Sequence, residues 1–182
     1  MRYAITGSIG TGKTTIANLF KEHGFKVYDA DKMVHDLYQD DAVLENIKKM
    51  FPEAFKSGSM DNKVIADVIF HNEEKRKELE AYIHPQVKEK ILELDNCIIE
   101  VPLLFESKME NLFDKVILVY CDKDEQIKRV MNRNNIDYGD ALARVNSQMD
   151  INEKIKLSDF VIENVGTMEN IQKQVNDIIN KL

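Results

Sequence analysis

The sequence predicts an α/β fold in three layers, with a five-stranded parallel sheet, a helical insertion and a short lid. Short apolar segments alternate with amphipathic helical patterns along most of the 182 residues. The apolar segments at 97–101 (CIIEV) and 115–120 (KVILVY) are continuous, which is typical of strands buried on both faces of a parallel sheet. A chain of this length can build one substantial core that carries an inserted lobe.

The amino-terminal part begins with two predicted strands separated by one helix. Residues 2–6 form the first strand and residues 25–28 the second, with an amphipathic helix at 13–23 between them. Gly24 ends that helix, because glycine readily adopts the left-handed conformation that follows many helices. About 60 residues then precede the third strand, far more than the dozen or so of a simple crossover. We therefore predict a helical lobe at 32–95.

Two interruptions divide the helical pattern of this lobe. Residues 52–62, with Gly58 near the middle, are predicted to break the first helical stretch. The His84-Pro85 pair is predicted to mark a second boundary, because the residue before proline avoids the helical conformation and proline suits the first helical position. The helices predicted after the first break are 63–70, 73–82 and 85–94.

The carboxyl-terminal half returns to alternating strands and helices. Its predicted strands are 97–101, 115–120 and 160–163, and its predicted helices are 123–134, 140–148 and 168–182. A polar turn is predicted at 135–139 (NIDYG), and we assign residues 135–149 to a lid because arginines flank this turn on both sides. The predicted core comprises residues 1–31, 96–134 and 150–182.

One segment carries the most specific motif of the chain. Gly7-Ser8-Ile9-Gly10-Thr11-Gly12-Lys13-Thr14 has the pattern G-x-x-x-x-G-K-[ST] between an apolar strand and an amphipathic helix. The glycines allow backbone N–H groups to turn inward as a nest for phosphate oxygens, and the helix directs its positive dipole end toward the same point. Lys13 is placed to reach the β- and γ-phosphates, and the Thr14 hydroxyl is placed to bind Mg²⁺. The motif therefore predicts a nucleoside triphosphate site.

Carboxylates follow two of the predicted strands. Asp29 and Asp31 come after strand 2 and Glu100 ends strand 3, at the edge of the sheet where ligands bind in α/β folds. A carboxylate there can accept a hydrogen bond from an attacking hydroxyl or reach Mg²⁺ through water. The alternatives are helix N-capping for Asp31 and a solvated strand end for Glu100.

Three arginines suggest a second group of functional residues. Arg129 and Arg133 lie four residues apart on one predicted helix, and Arg144 lies on the next helix. Guanidinium groups match phosphate geometry, and phosphoryl transfer needs cations around the moving group. We interpret the three as a lid over a nucleotide, with a solvated charged helix face as the alternative. His84 stands alone, and the residues around it do not resemble a metal site.

Composition narrows the classes of partner. The net charge of −7 argues against a nucleic-acid-coating protein, which more often carries a basic excess. We expect no membrane partner, because no apolar stretch approaches the ~20 residues that span a bilayer. Cys97 and Cys121 are spaced neither as a disulfide framework nor as a metal site. We expect a cytoplasmic protein with reduced thiols, either a monomer or a small homo-oligomer.

Taken in order, these motifs resemble those of the dephospho-CoA kinase family, in the nucleoside-monophosphate-kinase-like branch of P-loop proteins. The resemblance extends nearly end to end through the phosphate loop, Asp29-Ala30-Asp31, His84-Pro85, Val101-Pro102-Leu103-Leu104-Phe105-Glu106, Arg129 with Arg133, Arg144 with Gln148, and residues 158–166 (SDFVIENVG). The loop alone fits many activities, whereas the ordered set is far more specific.

The resemblance implies ATP-dependent phosphorylation of the ribose 3′-hydroxyl of dephospho-CoA, the last step of coenzyme A synthesis, with Mg²⁺ as cofactor. It implies a three-layer P-loop fold with a core, an acceptor-binding lobe and a lid. Asp31 would be the base at the acceptor hydroxyl, with Lys13 and Arg133 as further catalytic groups. The residues implied to bind ATP are Gly10, Thr11, Gly12, Lys13, Thr14, Thr15, Arg144, Asn164 and Gly166. The residues implied to shape the acceptor site are His84, Leu103, Leu104 and Glu106. From its place after strand 2 we also expect Asp29 at the acceptor site, and we expect Thr14 to bind Mg²⁺ with Glu100 reaching the ion through water.

Two positions depart from the family pattern, and three other functions stay open. Lys63 stands where the family usually has arginine in the acceptor lobe, and His35 also stands at a frequent arginine position. Another small-molecule kinase acting on a nucleotide, shikimate or gluconate is the nearest alternative. A GTP-binding switch would need an N-K-x-D segment, and neither Asn62-Lys63 nor Asn180-Lys181 is followed by the required Asp. A nucleotide-binding module without catalysis is the third.

Overall fold

The computed structural model of the chain describes residues 1–56 and 59–182, so the predicted break at Gly58 lies outside the described residues. The strands are β1 (Arg2–Thr6), β2 (Lys26–Asp29), β3 (Phe55–Lys56), β4 (Ser59–Met60), β5 (Cys97–Glu100), β6 (Lys115–Tyr120) and β7 (Phe160–Glu163). The helices are α1 (Lys13–Glu22), α2 (Ala30–Leu37), α3 (Asp41–Met50), α4 (Asn62–His71), α5 (Glu73–Leu92), α6 (Lys123–Asn134), α7 (Tyr138–Asn146), α8 (Ile151–Leu157) and α9 (Met168–Ile179).

Five of the strands form one parallel sheet in the order β2-β5-β1-β6-β7, which confirms the predicted sheet. β1 is central, so the loop that follows it emerges in the middle of the carboxyl edge. The strand register pairs Asp29 with Glu100 and Glu100 with Ile5. The ends of β2, β5 and β1 therefore lie side by side, and the polar residues that follow them share one edge of the sheet.

Helices α1 and α9 cover one face of this sheet. Their apolar residues recur at three- and four-residue spacing, which places them on one side of each helix. Side chains from the strands alternate toward these helices, so the β1 residues Tyr3 and Ile5 enter the same cluster. The buried members contributed by the two helices are Ile16, Ala17, Leu19, Phe20, Ile171, Val175 and Ile178.

The chain divides into two compact units. The first comprises Met1–Ala30 with Leu94–Leu182 and holds the parallel sheet, and the second is Asp31–Glu93, where the sequence predicted a helical lobe at 32–95. Within the second unit, the Lys75 ammonium donates to the Met50 carbonyl over 2.8 Å and so joins α5 to α3. β3 and β4 pair as an antiparallel hairpin that the sequence did not predict, because two-residue strands are too short to show alternation.

The predicted boundary at His84-Pro85 is wrong. α5 continues from Glu73 to Leu92 with Pro85 inside it. Proline removes one helical hydrogen bond and clashes with the preceding turn, at a cost of about 3 kcal/mol. The helix persists because one apolar stripe, with a residue every four positions, continues across the proline and is buried on both sides of it. Its members are Leu79, Ile83, Val87 and Ile91.

Helix α8 is a second difference from the prediction, which had no helix between 149 and 160. Asp150 caps α8, since its carboxylate accepts a hydrogen bond from the Asn152 amide over 2.8 Å. The one buried residue of this helix is Lys154, so the apolar periodicity that predicts a helix is weak. Among residues 1–56 and 59–182, no helix combines the length and apolarity required to cross a bilayer.

Candidate active site

The phosphate loop connects β1 to α1 and packs tightly against the residues around it. Gly10 and Gly12 have φ values of 82° and 87°, a left-handed conformation that disfavours residues with a Cβ. A Cβ at Gly10 would also lie 2.7 Å from the Gln126 carbonyl oxygen, and one at Gly12 would collide with the Asn164 amide. These two glycines are therefore required both by backbone conformation and by close packing.

Lys13 and Thr14 begin α1 at the end of this loop. The Lys13 ammonium donates to the Gly7 and Ser8 carbonyls over 3.0 and 3.3 Å, which holds the positive charge over the loop. The Thr14 hydroxyl donates to Glu100 Oε1 over 3.0 Å. Glu100 is 8% exposed at the end of β5, and its contact with Thr14 places its carboxylate beside the start of α1.

A second group of contacts fixes the Thr11 end of the loop. The Thr11 carbonyl accepts a hydrogen bond from Asn164 Nδ2 over 2.7 Å and a longer one from Arg129 Nη1 over 3.4 Å. Arg129 Nη2 also donates to the Asn164 carbonyl over 2.9 Å, and its Nε pairs with Glu125 over 2.7 Å. Burial raises the pKa of the neighbouring Cys121 thiol to about 11, so this thiol is protonated at neutral pH.

These contacts change the interpretation of the arginines. Arg129, which the sequence placed with the lid, joins the phosphate loop to the residue that follows β7. Arg133 and Arg144 are exposed on α6 and α7, and the side chain of Arg133 donates a hydrogen bond to its neighbour Asn134 over 3.0 Å. Asn164 lies beside the loop and is buried, while Gly166, with φ +85°, follows it on the surface.

The two candidate acidic residues, Asp29 and Asp31, lie on either side of the junction between β2 and α2. Asp29 is the last residue of the strand and is in register with Glu100. Asp31 lies in the first turn of α2, which begins one residue earlier at Ala30. Asp31 therefore does not occupy the N-cap position that was the alternative prediction for it.

The remaining predicted acceptor residues lie on two elements. His84 is on α5 in the second unit, where burial lowers its pKa, Lys88 lowers it further and Glu80 opposes the shift. In the segment after β5, Leu103 is 44% exposed whereas Leu104 is fully buried. Leu104 thus supports this segment from within, and Leu103 is the side chain available to a ligand.

Glu106 has partners that the sequence did not indicate. Its Oε1 lies 2.8 Å from the Lys154 ammonium and accepts a hydrogen bond from the Met149 amide over 3.1 Å. Lys154 is fully buried, and its position on α8 gave no motif that could have identified it. Gln148, noted for its family resemblance, accepts a hydrogen bond from the Ile9 amide of the phosphate loop over 2.7 Å.

The donor set around Thr14 suits a magnesium ion. Within the described ranges there is no group of three or more His, Cys, Asp or Glu side chains that could hold a metal. A hydroxyl and a buried carboxylate 3.0 Å apart are nevertheless the oxygen ligands that Mg²⁺ takes when substrate phosphates supply the rest of its coordination. Thr14 and Glu100 therefore fit this ion together with a nucleotide.

Comparison with known proteins agrees with this geometry. The family described as CoaE, dephospho-CoA kinase, matches residues 1–170. The dephospho-CoA kinase of Listeria innocua is 36% identical over 97% of this chain and 94% of its own length. The structure of TT1252 from Thermus thermophilus covers 100% of this chain and 97% of its own, with a TM-score of 0.88 at 33% identity. The dephospho-CoA kinase from Campylobacter jejuni covers 99% and 96%, with a TM-score of 0.75 at 33% identity. The chain therefore has the three-layer P-loop kinase fold and belongs to the dephospho-CoA kinase family, as the sequence motifs predicted.

Proposed function

We propose that this protein transfers the γ-phosphoryl group of ATP to the ribose 3′-hydroxyl of dephospho-CoA, giving coenzyme A and ADP. The observation that carries the proposal is the phosphate loop with the Lys13 ammonium over it and the Thr14–Glu100 contact beside it. A phosphate loop is common to many kinases and does not specify the acceptor. Membership of the dephospho-CoA kinase family supports dephospho-CoA as the acceptor.

The loop and its lysine bind the triphosphate in this proposal. The loop amides and the positive end of α1 stabilise the phosphate oxygens, and Lys13 moves from the loop carbonyls to the β- and γ-phosphates. Thr14 and Glu100 hold Mg²⁺, which neutralises charge on the phosphates when it is bound. Arg133 and Arg144, which are exposed on α6 and α7, are proposed to add positive charge when the nucleotide is bound.

Asp31 is the proposed base for the acceptor. The 3′-hydroxyl oxygen forms a bond to the γ-phosphorus as the bond to the β–γ bridging oxygen breaks, and ADP leaves with that electron pair. The hydroxyl proton passes to the Asp31 carboxylate late in this step. Support comes from the position of Asp31 in the first turn of the helix that follows β2, with Asp29 as the alternative two residues earlier.

The acceptor is proposed to contact His84 and Leu103, with Asp29 near the sugar. Leu104, being buried, shapes this site only from behind. We place the protein in the cytoplasm, where ATP is available and where the free, buried thiols of Cys97 and Cys121 stay reduced.

An acceptor panel tests the proposal. Purified protein is incubated with Mg-ATP and one acceptor at a time, namely dephospho-CoA, shikimate, gluconate or a nucleoside monophosphate, and ADP release is followed. We expect turnover with dephospho-CoA at least a hundredfold above that with the other acceptors, and none with Lys13→Ala. Faster turnover with another acceptor would replace the proposed substrate, and no turnover with any would favour a nucleotide-binding module.

A further inference from the structure

Four residues between α7 and α8, Ser147–Asp150, contact two separate parts of the first unit; we call them the α7–α8 connection. Gln148 Oε1 accepts the Ile9 amide of the phosphate loop over 2.7 Å. The adjacent Met149 amide donates to Glu106 Oε1 over 3.1 Å. Two consecutive residues therefore join the ATP-binding loop to the segment that follows β5.

An ion pair between the buried Lys154 ammonium and the partly exposed Glu106 carboxylate holds one end of this connection. The Lys154 ammonium is fully buried and lies 2.8 Å from the Glu106 oxygen that also accepts the Met149 amide. Glu106 is the only charged partner of Lys154 within the described ranges. A buried ammonium is tolerated only when it is paired, so this pair fixes α8 and the residues just before it against Glu106.

The phosphate loop is held at two positions, at Ile9 by the α7–α8 connection and at Thr11 by side chains from α6 and from the residue after β7. Arg129 and Asn164 fix the Thr11 carbonyl from one side, and Gln148 fixes the Ile9 amide from the other. Loop amides form a phosphate nest only when their orientations are set together. An acceptor oxygen on the Ile9 amide therefore contributes to the loop conformation that receives the triphosphate.

We propose that Gln148 and the Glu106–Lys154 pair are positioning residues for ATP. In this inference, which rests on the proposed function, Gln148 orients the phosphate loop, and the ion pair holds Gln148 in place through Met149. In this inference Glu106 affects the binding of ATP indirectly, through Met149 and Gln148. The family resemblance implied instead that Glu106 contacts the acceptor directly. The connection makes the geometry of the loop dependent on the segment beside the acceptor.

The first test measures Mg-ATP affinity by calorimetry without any acceptor. Gln148→Leu keeps the bulk of the side chain and removes the oxygen that accepts the Ile9 amide. We expect affinity about tenfold weaker, within a range of about fivefold to a hundredfold, because an amide loses its only side-chain acceptor. Ser147→Ala is the matched control, since Ser147 is exposed and its hydroxyl donates to the Arg144 carbonyl of its own turn rather than to the phosphate loop. Unchanged affinity in Gln148→Leu would overturn the inference.

The second test separates positioning from acceptor contact. Glu106→Gln should raise the KM for ATP at least as much as the KM for dephospho-CoA, whereas a direct acceptor contact would raise only the latter and refute the inference. Glu106→Gln combined with Lys154→Met should bind ATP better than Glu106→Gln alone, because only the single variant leaves the buried Lys154 ammonium unpaired. Losses that simply multiply would show that the two residues do not act as a pair.

A third measurement needs neither turnover nor a stable Lys154 variant. Hydrogen exchange at the Ile9 amide should be slow in the wild-type protein and faster in Gln148→Leu. Fast exchange in the wild type would refute the contact itself. Because exchange and ATP affinity are measured without acceptor, these results stand even if dephospho-CoA is not phosphorylated. That outcome would overturn the proposed function alone.

Discussion

Replacing Arg129 with methionine distinguishes a clamp on the phosphate loop from a lid that closes over ATP. Arg129→Met keeps an apolar stem of similar length on α6 and removes every hydrogen bond of the guanidinium group. The lid interpretation predicts a lower kcat with unchanged stability. The observed contacts with Thr11, Asn164 and Glu125 predict instead that the protein without nucleotide is destabilised.

The magnitude follows from the contacts. The charge-assisted hydrogen bond to the Asn164 carbonyl, at 2.9 Å, contributes about 1.5–3 kcal/mol. The ion pair with Glu125 is about one third exposed on both sides and adds roughly 0.5 kcal/mol after screening. The contact with Thr11, at 3.4 Å, adds little. We therefore expect a loss of about 2–3.5 kcal/mol in the free energy of unfolding, equivalent to about 4–14 °C in Tm.

Urea and thermal unfolding without nucleotide provide the measurement. Arg133→Met is the matched control, because Arg133 lies exposed on the same helix and its side chain, within the part of the chain that the structure describes, bonds only to Asn134. Its free energy of unfolding should change by no more than about 0.5 kcal/mol. Equal unfolding midpoints for the two variants, together with a lower kcat for Arg129→Met than for the wild type, would refute the clamp and restore Arg129 to the lid.

Three further predictions concern the metal, the base and pH. Glu100→Gln should raise the Mg²⁺ concentration needed for half-maximal activity by about tenfold, and an unchanged magnesium titration would exclude Glu100 from the ion site. Asp31→Asn should lower kcat far more than it raises KM in steady-state kinetics, and the opposite pattern would make Asp31 a binding residue. Because burial lowers the pKa of His84 below its usual 6.5, the unfolded state binds the proton more tightly, and stability should fall as pH drops through about 6.5. His84→Gln should flatten that part of the pH–stability curve measured by urea unfolding, and an unaltered slope would contradict it.

The sheet and the phosphate loop were predictable because their signals are local. Each strand is a short apolar run of its own, and the loop motif lies in eight consecutive residues with its required flanking elements. The continuity of α5 through Pro85 was not predictable, because the local effect of this proline opposes an apolar stripe whose burial depends on tertiary packing. α8 was missed for a related reason, since the residue that it buries is the charged Lys154.

The contacts that fix the site depend on pairs distant in sequence. Arg129 reaches main-chain carbonyls of Thr11 and Asn164, 118 and 35 residues away, and any residue type has such a carbonyl. Gln148 and the Ile9 amide are 139 residues apart, again with a main-chain group as one partner. Residue identities indicated which side chains matter, whereas only the folded chain indicates that some of them orient the loop.

The position of the transferred phosphate is the most direct test of the central claim. Wild-type protein is incubated with Mg-ATP and dephospho-CoA, and the product is examined by ³¹P NMR with proton correlation. We predict one new phosphomonoester on the ribose 3′ carbon, formed in step with ADP and absent with Lys13→Ala. A phosphate on another hydroxyl, or ADP formed with no new ester, would contradict the claim.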